Sequence, residues 1–334
     1  MAENIYTHDD LKVMQQWSLD RKIQVSQTRI LEWYTKHDKQ CYISFSGGKD
    51  STVLAYLAAK VCMMEKCKLI LWFSDTGLEF PELKSHVKTY GKWLTEKFPG
   101  LEVETIIDYP RDRKGNRISF RDVILKYGYP ILSKNISRKI HDVQKMGQDC
   151  YAARCFDGRE TGTYDLRKWK FVIDAPFQAS ARCCDVLKKN PSHRYAKKTG
   201  RAPIIGTMAC ESQWRRIEWL RHGCNAFDNK EPASRPISFW TEQDILLFLI
   251  KYKLPYPSIY GEILQDEKGK WYTTGYQRTG CMYCAYGAHL EKEPNRFQRL
   301  KQTHPKIWDY CMRPIEKGGL GMREVLEFIH VKIE

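Results

Sequence analysis

The stretch over residues 41–59 constrains the fold of this chain most, because an apolar run, a glycine turn and an apolar helix follow one another directly. Cys41-Tyr42-Ile43 is typical of a short strand, and residues 52–59 are typical of a buried helix. The residues between them are Ser44-Phe45-Ser46-Gly47-Gly48-Lys49-Asp50-Ser51. Adjacent glycines allow backbone N–H groups to approach an anion, and the N-terminus of the following helix adds partial positive charge. The stretch therefore predicts a strand, loop and helix that together bind phosphate.

The side chains of this loop supply further donors, from Lys49 and from the hydroxyls of Ser46 and Ser51. A Walker P-loop has four residues between a glycine and Gly-Lys-Ser/Thr, whereas here the glycines are adjacent and an acid follows the lysine. The loop resembles instead the SGGxDS signature of PP-loop ATP pyrophosphatases, which cleave ATP between the α- and β-phosphates to adenylate a substrate. The alternative is an ordinary tight turn between a strand and a helix that happens to contain two glycines.

Two further strands continue the pattern. Residues 68–73 form a continuous apolar run, which is typical of a strand buried on both faces of a parallel sheet, and residues 101–107 alternate as a third strand. A helix is predicted from Pro81 to about Phe98. This order predicts a doubly wound, mostly parallel α/β sheet, whose ligands lie beyond the carboxyl ends of the strands. Asp75-Thr76-Gly77 follows the second strand at such an end.

The rest of the chain is predicted to add helices at both ends of this sheet domain. Thr7 and Asp10 form a capping-box pattern, after which apolar residues recur at helical spacing to residue 37. We predict an N-terminal helical segment over residues 1–37, the α/β domain over residues 38–290, and a C-terminal helical segment over residues 291–334. The last segment is expected to break at Pro305 and Pro314, and residues 133–175 to contain a helix followed by an insertion.

The amino-acid composition limits where the protein is expected to be found and what it is expected to bind. Hydrophobic residues make up 42% of the 334 residues, which is enough for a core. No apolar stretch approaches the ~20 residues of a membrane span, and residues 1–30 contain no apolar signal core, so we expect a cytoplasmic protein. The formal net charge of +15 indicates attraction to polyanions, although lysines that merely solvate the surface explain it equally well.

The twelve cysteines indicate a metal site rather than disulfide bonds, because the cytosol keeps thiols reduced. Cys183-Cys184 and the later Cys281-Met282-Tyr283-Cys284 supply four thiolates, and sets of four cysteines hold zinc or an iron–sulfur cluster. Side chains of adjacent residues normally point apart, which suits the separate iron atoms of a cubane better than one tetrahedral zinc ion. Zinc and simple buried cysteines are the alternatives.

The motifs together resemble the phosphoadenosine phosphosulfate (PAPS) reductase family, over roughly residues 38–290. The glycine loop, Asp75 to Pro81, Cys-Cys-x-x-Leu-Lys from Cys183 and the late Cys-x-x-Cys carry the likeness. The cysteine arrangement resembles the iron–sulfur, adenylyl-sulfate reductase type, and this implies a [4Fe-4S] cluster on Cys183, Cys184, Cys281 and Cys284.

A further segment also resembles the family. The family sequence Gly-x-Arg-x-x-Glu-Ser-x-x-Arg is similar to residues 206–215, with Met208 in place of the first arginine. Arg215 still offers a planar fork for phosphate or sulfate, although an arginine on a helix surface is the simpler interpretation.

Two features favour ATP chemistry over reduction of a sulfonucleotide. The reductases of the family carry a catalytic cysteine in a Glu-Cys-Gly-Leu-His tail, whereas the last cysteine here, Cys311, lacks that motif. Reductases also commonly have a degenerate loop, whereas Ser-Gly-Gly-Lys-Asp-Ser is intact. The resemblance implies an enzyme that cleaves ATP to AMP and pyrophosphate and so activates an acceptor for sulfur transfer, of the nucleic-acid thiolation or phosphorothioation type.

This interpretation assigns catalytic roles to Lys49, Asp50 and Arg215, with Asp50 helping to place Mg²⁺. The other residues of the nucleotide site are Ser44, Ser46, Gly47, Gly48, Ser51, Asp75, Thr76, Gly77, Glu211 and Ser212. Partners left open are a cysteine desulfurase or another sulfur donor, tRNA or DNA, and a second copy of the chain as a homodimer. The alternatives are an adenylyl-sulfate or PAPS reductase that forms sulfite through Cys311 or an external thiol, and a non-catalytic regulator that binds nucleic acid.

Overall fold

The computed structural model describes residues 4–160 and 165–334, so part of the predicted insertion lies outside the described residues. The helices are α1 (His8–Gln16), α2 (Leu19–Lys36), α3 (Lys49–Glu65), α4 (Pro81–Lys97), α5 (Phe120–Tyr127), α6 (Lys134–Met146), α7 (Tyr151–Phe156), α8 (Asn190–Thr199), α9 (Gln213–His222), α10 (Glu242–Lys251), α11 (Arg296–Thr303), α12 (Pro305–Met312) and α13 (Met322–Phe328). The strands are β1 (Cys41–Ser44), β2 (Leu69–Ser74), β3 (Val103–Asp108), β4 (Ile131–Leu132), β5 (Ala202–Ile205), β6 (Asn225–Ala226), β7 (Ala233–Ser234), β8 (Ile263–Gln265), β9 (Trp271–Thr273) and β10 (Ala285–Tyr286).

The chain divides into two compact units, each assembled from segments that are far apart in sequence. The described residues of Met1–Asp75, Phe80–Asp108 and Ser192–Thr279 form the first unit. Those of Thr76–Glu79, Tyr109–Pro191 and Gly280–Glu334 form the second. The division into segments 1–37, 38–290 and 291–334 stays a prediction about domains.

A six-stranded sheet organises the first unit, in the order β3-β2-β1-β5-β7-β6. Its neighbouring strands are parallel except for β6 and β7, which are antiparallel. The prediction of a doubly wound, mostly parallel sheet is therefore confirmed. From β1 the chain proceeds outward to β2 and β3 and then returns to the other side of β1 with β5. In such sheets the ligand crevice lies where the strand order reverses, beyond the carboxyl ends of β1 and β5.

Helices cover both faces of this sheet. Alternate strand residues point to opposite faces, and Ile43 and Leu71 belong to the large core that includes α2, α3 and α10. Tyr42, Ile70 and Trp72 form a second cluster, against which Tyr195 of α8 packs. Because helices cover both faces, the residues of the central strands are apolar on both sides, and each of these strands is a continuous apolar run in the sequence.

The N-terminal residues form two helices, and the capping box of Thr7 and Asp10 at the start of α1 is confirmed. Helix α2 buries Ile30, Trp33 and Tyr34 in the core of the first unit, so it covers the sheet. Within the described residues, the helices are too short or too polar to cross a membrane.

The second unit contains the parallel strand pair β4 and β10 together with α5–α7 and α11–α13. Residues 133–175 were expected to contain a helix followed by an insertion, and their described part forms α6, α7 and a 3-10 helix, Arg167–Asp174. Pro305 is the first residue of α12, where its missing N–H group is not needed.

Candidate functional site

The glycine loop joins β1 to α3 and is held in shape by its own hydroxyl groups. The Oγ atoms of Ser46 and Ser51 are 3.1 Å apart, and the Gly48 N–H donates to Ser46 Oγ at 3.3 Å. Ser51 Oγ donates in turn to the Gly48 carbonyl at 2.9 Å. Gly48 is the N-cap of α3 and has no side chain, so nothing on the cap residue blocks the positive end of this helix.

Two glycines of the site are required by close packing. Gly47 has φ +76°, and a Cβ there would lie 2.8 Å from Val87 Cγ2 and 2.9 Å from the Leu83 carbonyl oxygen, both on α4. Gly206 follows β5, and a Cβ there would lie 3.3 Å from the backbone of Asp50 and Ser51. The end of β5 therefore packs closely against the start of α3, which places residues 206–215 beside the glycine loop.

Lys49 is the charged centre of the loop. Its side chain is only 3% exposed, and its Nζ lies 3.4 Å from Asp50 Oδ1 and 3.4 Å from Glu242 Oε1. Burial lowers the pKa of Lys49, but Asp50, Tyr260 and Glu242 outweigh that effect and leave the pKa above its ordinary value. Lys49 is therefore a fixed cation at neutral pH.

A cavity of about 370 Å³ opens beside this lysine. This volume lies within the usual range for small-molecule sites. Its lining residues come from the loop, from the turn after β5, from the start of α10 and from residues near the C-terminal end of the first unit: Lys49, Met208, Cys210, Glu211, Thr241, Glu242, Gln243, Lys270 and Arg278. Met208, which replaces the family arginine, contributes an apolar wall where that arginine would add positive charge.

Glu211 connects the predicted residues of the 206–215 segment. Its carboxylate accepts from the Met208 N–H at 2.8 Å and from Arg278 at 2.8 Å, and it also pairs with Arg215. Ser212 is the N-cap of α9, where its hydroxyl accepts from the Arg215 N–H. The structure therefore brings Lys49 and Glu211 to one cavity, pairs Arg215 with Glu211, and places Ser212 at the N-cap of α9.

The residues after β2 occupy different positions. Asp75 pairs with Lys84 at 2.7 Å and belongs to the first unit. Thr76 and Gly77 belong to the second unit, where Thr76 Oγ1 donates to the buried carboxylate of Glu79 at 2.8 Å. Their predicted role in nucleotide binding stays a prediction.

Sequence reasoning missed several residues of the site. Tyr260 is buried, accepts from the Lys49 N–H at 3.3 Å and shares a 2.7 Å hydrogen bond with Thr279. Glu242, Lys270 and Arg278 line the cavity. Glu242 lies in the first turn of a capped helix, where an acidic residue stabilises the helix whether or not it has another role. Its contact with Lys49 therefore could not be predicted from the sequence.

The four cysteines of the predicted cluster all lie in the second unit. Cys183 Sγ and Cys184 Sγ are 4.0 Å apart, and the Cys284 N–H donates to the Cys281 carbonyl in the turn of the Cys-x-x-Cys motif. The hydrogen bond to Cys184, burial and the Cys284 and Cys281 thiols all raise the pKa of Cys183. The hydrogen bond from Cys183 and the ammonium groups of Lys134 and Lys188 lower the pKa of Cys184 to about 6.

This donor set fits an iron–sulfur cluster in its chemistry, because thiolates beside cationic side chains are the ligands that such clusters use. Over residues 4–160 and 165–334, however, no three or more His, Cys, Asp or Glu side chains are grouped as a metal site. The cluster itself, and not only its type, therefore stays a prediction.

Comparison with curated proteins identifies two relatives from Methanocaldococcus jannaschii, the uncharacterized proteins MJ0066 and MJ0973. MJ0066 is 22% identical over 86% of this chain and 45% of its own length, and MJ0973 is 23% identical over 85% of this chain and 49% of its own length. The chain thus spans about half the length of the curated relatives it matches.

Among solved structures, an NMN synthetase from Francisella tularensis matches with a TM-score of 0.35 and 14% identity, over 72% of this chain and 73% of that one. An NAD+ synthetase from Burkholderia pseudomallei matches with a TM-score of 0.37 and 11% identity, over 75% of each chain.

A comparison with models of known protein families agrees with the sequence motifs, although it does not test the iron–sulfur branch of the family. The model of the phosphoadenosine phosphosulfate reductase domain matches residues 160–286, which include the 206–215 segment and all four predicted cluster cysteines. Over residues 160–286 the chain therefore carries a match to the PAPS reductase domain family, and the resemblance predicted from its motifs is confirmed.

Proposed function

We propose that this protein cleaves ATP to AMP and pyrophosphate at the glycine loop and thereby activates an acceptor for sulfur transfer. The observation that carries the proposal is the combination of an intact Ser-Gly-Gly-Lys-Asp-Ser loop with a buried, charged Lys49 at the wall of a cavity. A fixed cation and a helix N-terminus are what a leaving pyrophosphate requires.

The reaction would proceed by attack of an acceptor nucleophile on the α-phosphorus. The bond between this phosphorus and the bridging oxygen to the β-phosphate breaks, the acceptor is adenylated, and pyrophosphate leaves with the electron pair. Ser46, Gly47, Gly48, Lys49 and Ser51 would hold the pyrophosphate, and Asp50 would help to place Mg²⁺ through oxygen ligation. The rate would come from positioning and from neutralisation of charge.

Arg215 and Arg278 would contribute further positive charge beside this site. Both pair with Glu211, whose side chain is only 11% exposed, so their guanidinium groups are positioned before any ligand binds. Such preorganised donors stabilise charge that develops during the reaction without a cost of reorientation.

Cys183, Cys184, Cys281 and Cys284 would hold a [4Fe-4S] cluster, which would supply iron coordination and electron-transfer chemistry. Two lysines, Lys134 and Lys188, lie near enough to Cys184 to lower its pKa and would favour thiolate ligands. Lys188 also pairs with Glu79, at 3.9 Å.

The reductase alternative depends on an accessible thiolate, and Cys311 does not suit that role. Cys311 lies on α12 with no exposed surface, and burial raises the pKa of its thiol well above the ordinary value. A reductase built on this chain would therefore need an external thiol.

The test is pyrophosphate release from ATP by anaerobically purified protein, with iron and acid-labile sulfide measured in the same sample. Lys49→Ala should abolish release, because the cation that faces the leaving group is gone. Lys60→Ala, on the same helix and beside the rings of Tyr56 and Tyr252, is the matched control and should retain it. Cys281→Ser should lower the iron content, whereas Cys67→Ser, in the first unit, should not.

Release of sulfite from adenylyl sulfate, without cleavage of ATP, would replace this proposal with the reductase. Binding of nucleic acid with no turnover of either nucleotide would favour the regulator instead.

A further inference from the structure

Glu242 makes a contact that the proposed reaction does not require. This residue is the first of α10, and its Oε1 lies 3.4 Å from Lys49 Nζ, inside the cavity where a phosphate group would bind. Lys49 thus has two carboxylate partners, but they differ in accessibility. The Asp50 side chain is 24% exposed, whereas that of Glu242 is 45% exposed.

The backbone of Glu242 is fixed by its neighbours on both sides. Thr241 and Asp244 form a capping box, and Asp244 also pairs with the buried Lys22 at 2.7 Å. The Gln243 side chain bonds both polar groups of the Trp271 backbone, donating to the carbonyl at 2.9 Å and accepting from the N–H at 2.8 Å. The helix start is therefore held in place, while the Glu242 side chain itself is 45% exposed and has room to move.

We propose that Glu242 is a positioning residue that holds the Lys49 ammonium in the ligand-free protein and is displaced by the incoming phosphate group. This inference rests on the proposed function, since it assigns the glycine loop as the anion site. Glu242 would thereby set the affinity of the site for phosphates.

The physical reason is the burial of Lys49. A buried ammonium group without sufficient counter-charge is costly, and the Glu242 carboxylate supplies that charge when no anion is bound. A pyrophosphate group carries more negative charge than one carboxylate and can also contact the loop backbone, so it competes successfully. Once displaced, Glu242 moves into solvent and remains at the N-terminus of α10, where the helix dipole still favours a negative charge.

Removal of the competing carboxylate should strengthen binding. Two unit charges about 4 Å apart in water interact by an energy that corresponds to roughly a fivefold change in affinity, and partial burial increases it. Glu242→Gln should therefore bind inorganic pyrophosphate about five- to tenfold more tightly than the unmodified chain. A residue with only a structural role would not produce such a gain when replaced.

The experiment is isothermal titration of the full chain and its variants with inorganic pyrophosphate, with and without Mg²⁺. Asp20→Asn is the matched control, because Asp20 also stands in the first turn of a helix and pairs with a lysine, Lys251, at the other end of α10. It changes the net charge by the same amount and should leave the affinity unchanged. Thermal unfolding of each variant checks that the fold is retained.

Tighter binding by Glu242→Gln alone, together with a lower KM for ATP at a similar kcat, would support the proposal. Equal affinity in the two chains would overturn it while leaving the proposed function intact. Weaker binding only in the presence of Mg²⁺ would also overturn it, since Glu242 would then be a metal ligand. If neither chain binds pyrophosphate or ATP, the proposed function itself fails, and this inference fails with it.

Discussion

At the scale of single residues, the glycine loop depends on a histidine that the sequence did not single out. His86 of α4 is buried, and its Nε2 lies 2.9 Å from Thr52 Oγ1. Thr52 Oγ1 donates in turn to the Gly48 carbonyl at 3.1 Å. The His86 ring therefore contacts the glycine loop indirectly, through the Thr52 hydroxyl group. Burial lowers the pKa of His86 from 6.5 to about 4, which means that the neutral ring is the form the fold accepts.

This shift predicts a loss of stability in mild acid. The folded-state pKa lies below that of the unfolded chain, so the unfolded chain binds the proton first as the pH falls. The contribution of His86 is therefore complete above about pH 6.5 and declines as the pH approaches 4, by roughly 3 kcal/mol in total. Urea unfolding at pH 7.5 and pH 5 should register about 2 kcal/mol of this difference.

The matched variant is His86→Gln, whose amide can still bond to Thr52 but does not titrate. It should lose that part of the pH dependence while the rest of the acid sensitivity remains. An identical pH dependence in the two chains would contradict the assignment of this proton to His86.

At the scale of secondary-structure elements, three consecutive residues at the start of α10 contact three other parts of the first unit. Glu242 contacts the glycine loop, Gln243 bonds the backbone of β9, and Asp244 pairs with Lys22 of α2. The last contact is the most buried of the three, because the Lys22 side chain is 2% exposed and that of Asp244 is 13% exposed.

Asp244→Ala should lower the free energy of unfolding by about 3 kcal/mol or more, because among the described residues it leaves the buried Lys22 ammonium with the Gln15 carbonyl as its one remaining hydrogen-bond partner. Thr241→Ala, which removes the helix cap but keeps the ion pair, should lower it by about 1 kcal/mol. Asp9→Ala, which breaks an exposed pair with Lys12, should change it by less than about 1 kcal/mol. Chemical denaturation of the three variants checks this order, and equal losses would show that the ion pair is not what matters.

The elements themselves were largely predictable. The strands at β1, β2, β3 and β5 and the helices α3, α4, α5 and α10 follow from apolar runs and capping residues, which act locally along the chain. Within residues 133–175 only a helix followed by an insertion was predicted. Helix α7 was not predicted separately because its six residues are too few to show a helical repeat.

At the scale of the whole molecule, the second unit is completed only by the C-terminal residues. Strand β4 pairs with β10, and Arg121 of α5 donates to the carbonyls of Gly319 and Ile315 at 3.2 and 3.1 Å. Tyr129 Oη donates to the Leu320 carbonyl at 2.9 Å. These contacts join residues that are 154 to 198 positions apart, so the described part of residues 109–191 depends on a segment far along the chain.

A chain that ends at Thr279 should keep the sheet of the first unit and lose the structure of residues 109–191. It retains every segment of the first unit, but β4 loses its partner and α5 loses the carbonyls that Arg121 binds. Hydrogen exchange followed by mass spectrometry should find the amides of β1, β2 and β5 protected and those of residues 120–132 exchanging rapidly. Protection of residues 120–132 equal to that of the full chain would contradict the prediction.

The sequence by itself determined the sheet class and the glycine loop. These features depend on residues that are close together along the chain, such as the glycines of the loop and the apolar runs beside it. Local backbone preference and hydrophobic pattern are enough to specify them.

Only the tertiary structure decided which side chains surround Lys49. Glu242, Lys270 and Arg278 come from separate elements, and each has an ordinary local interpretation as a helix-start acid, a turn lysine or a loop arginine. Their convergence depends on how β5, α10 and the β8–β9 hairpin pack in three dimensions, and no periodic pattern along the chain records such packing. Ser212 differs from these residues, since it caps α9 through a local bond to the Arg215 N–H, and its predicted role in nucleotide binding stays a prediction.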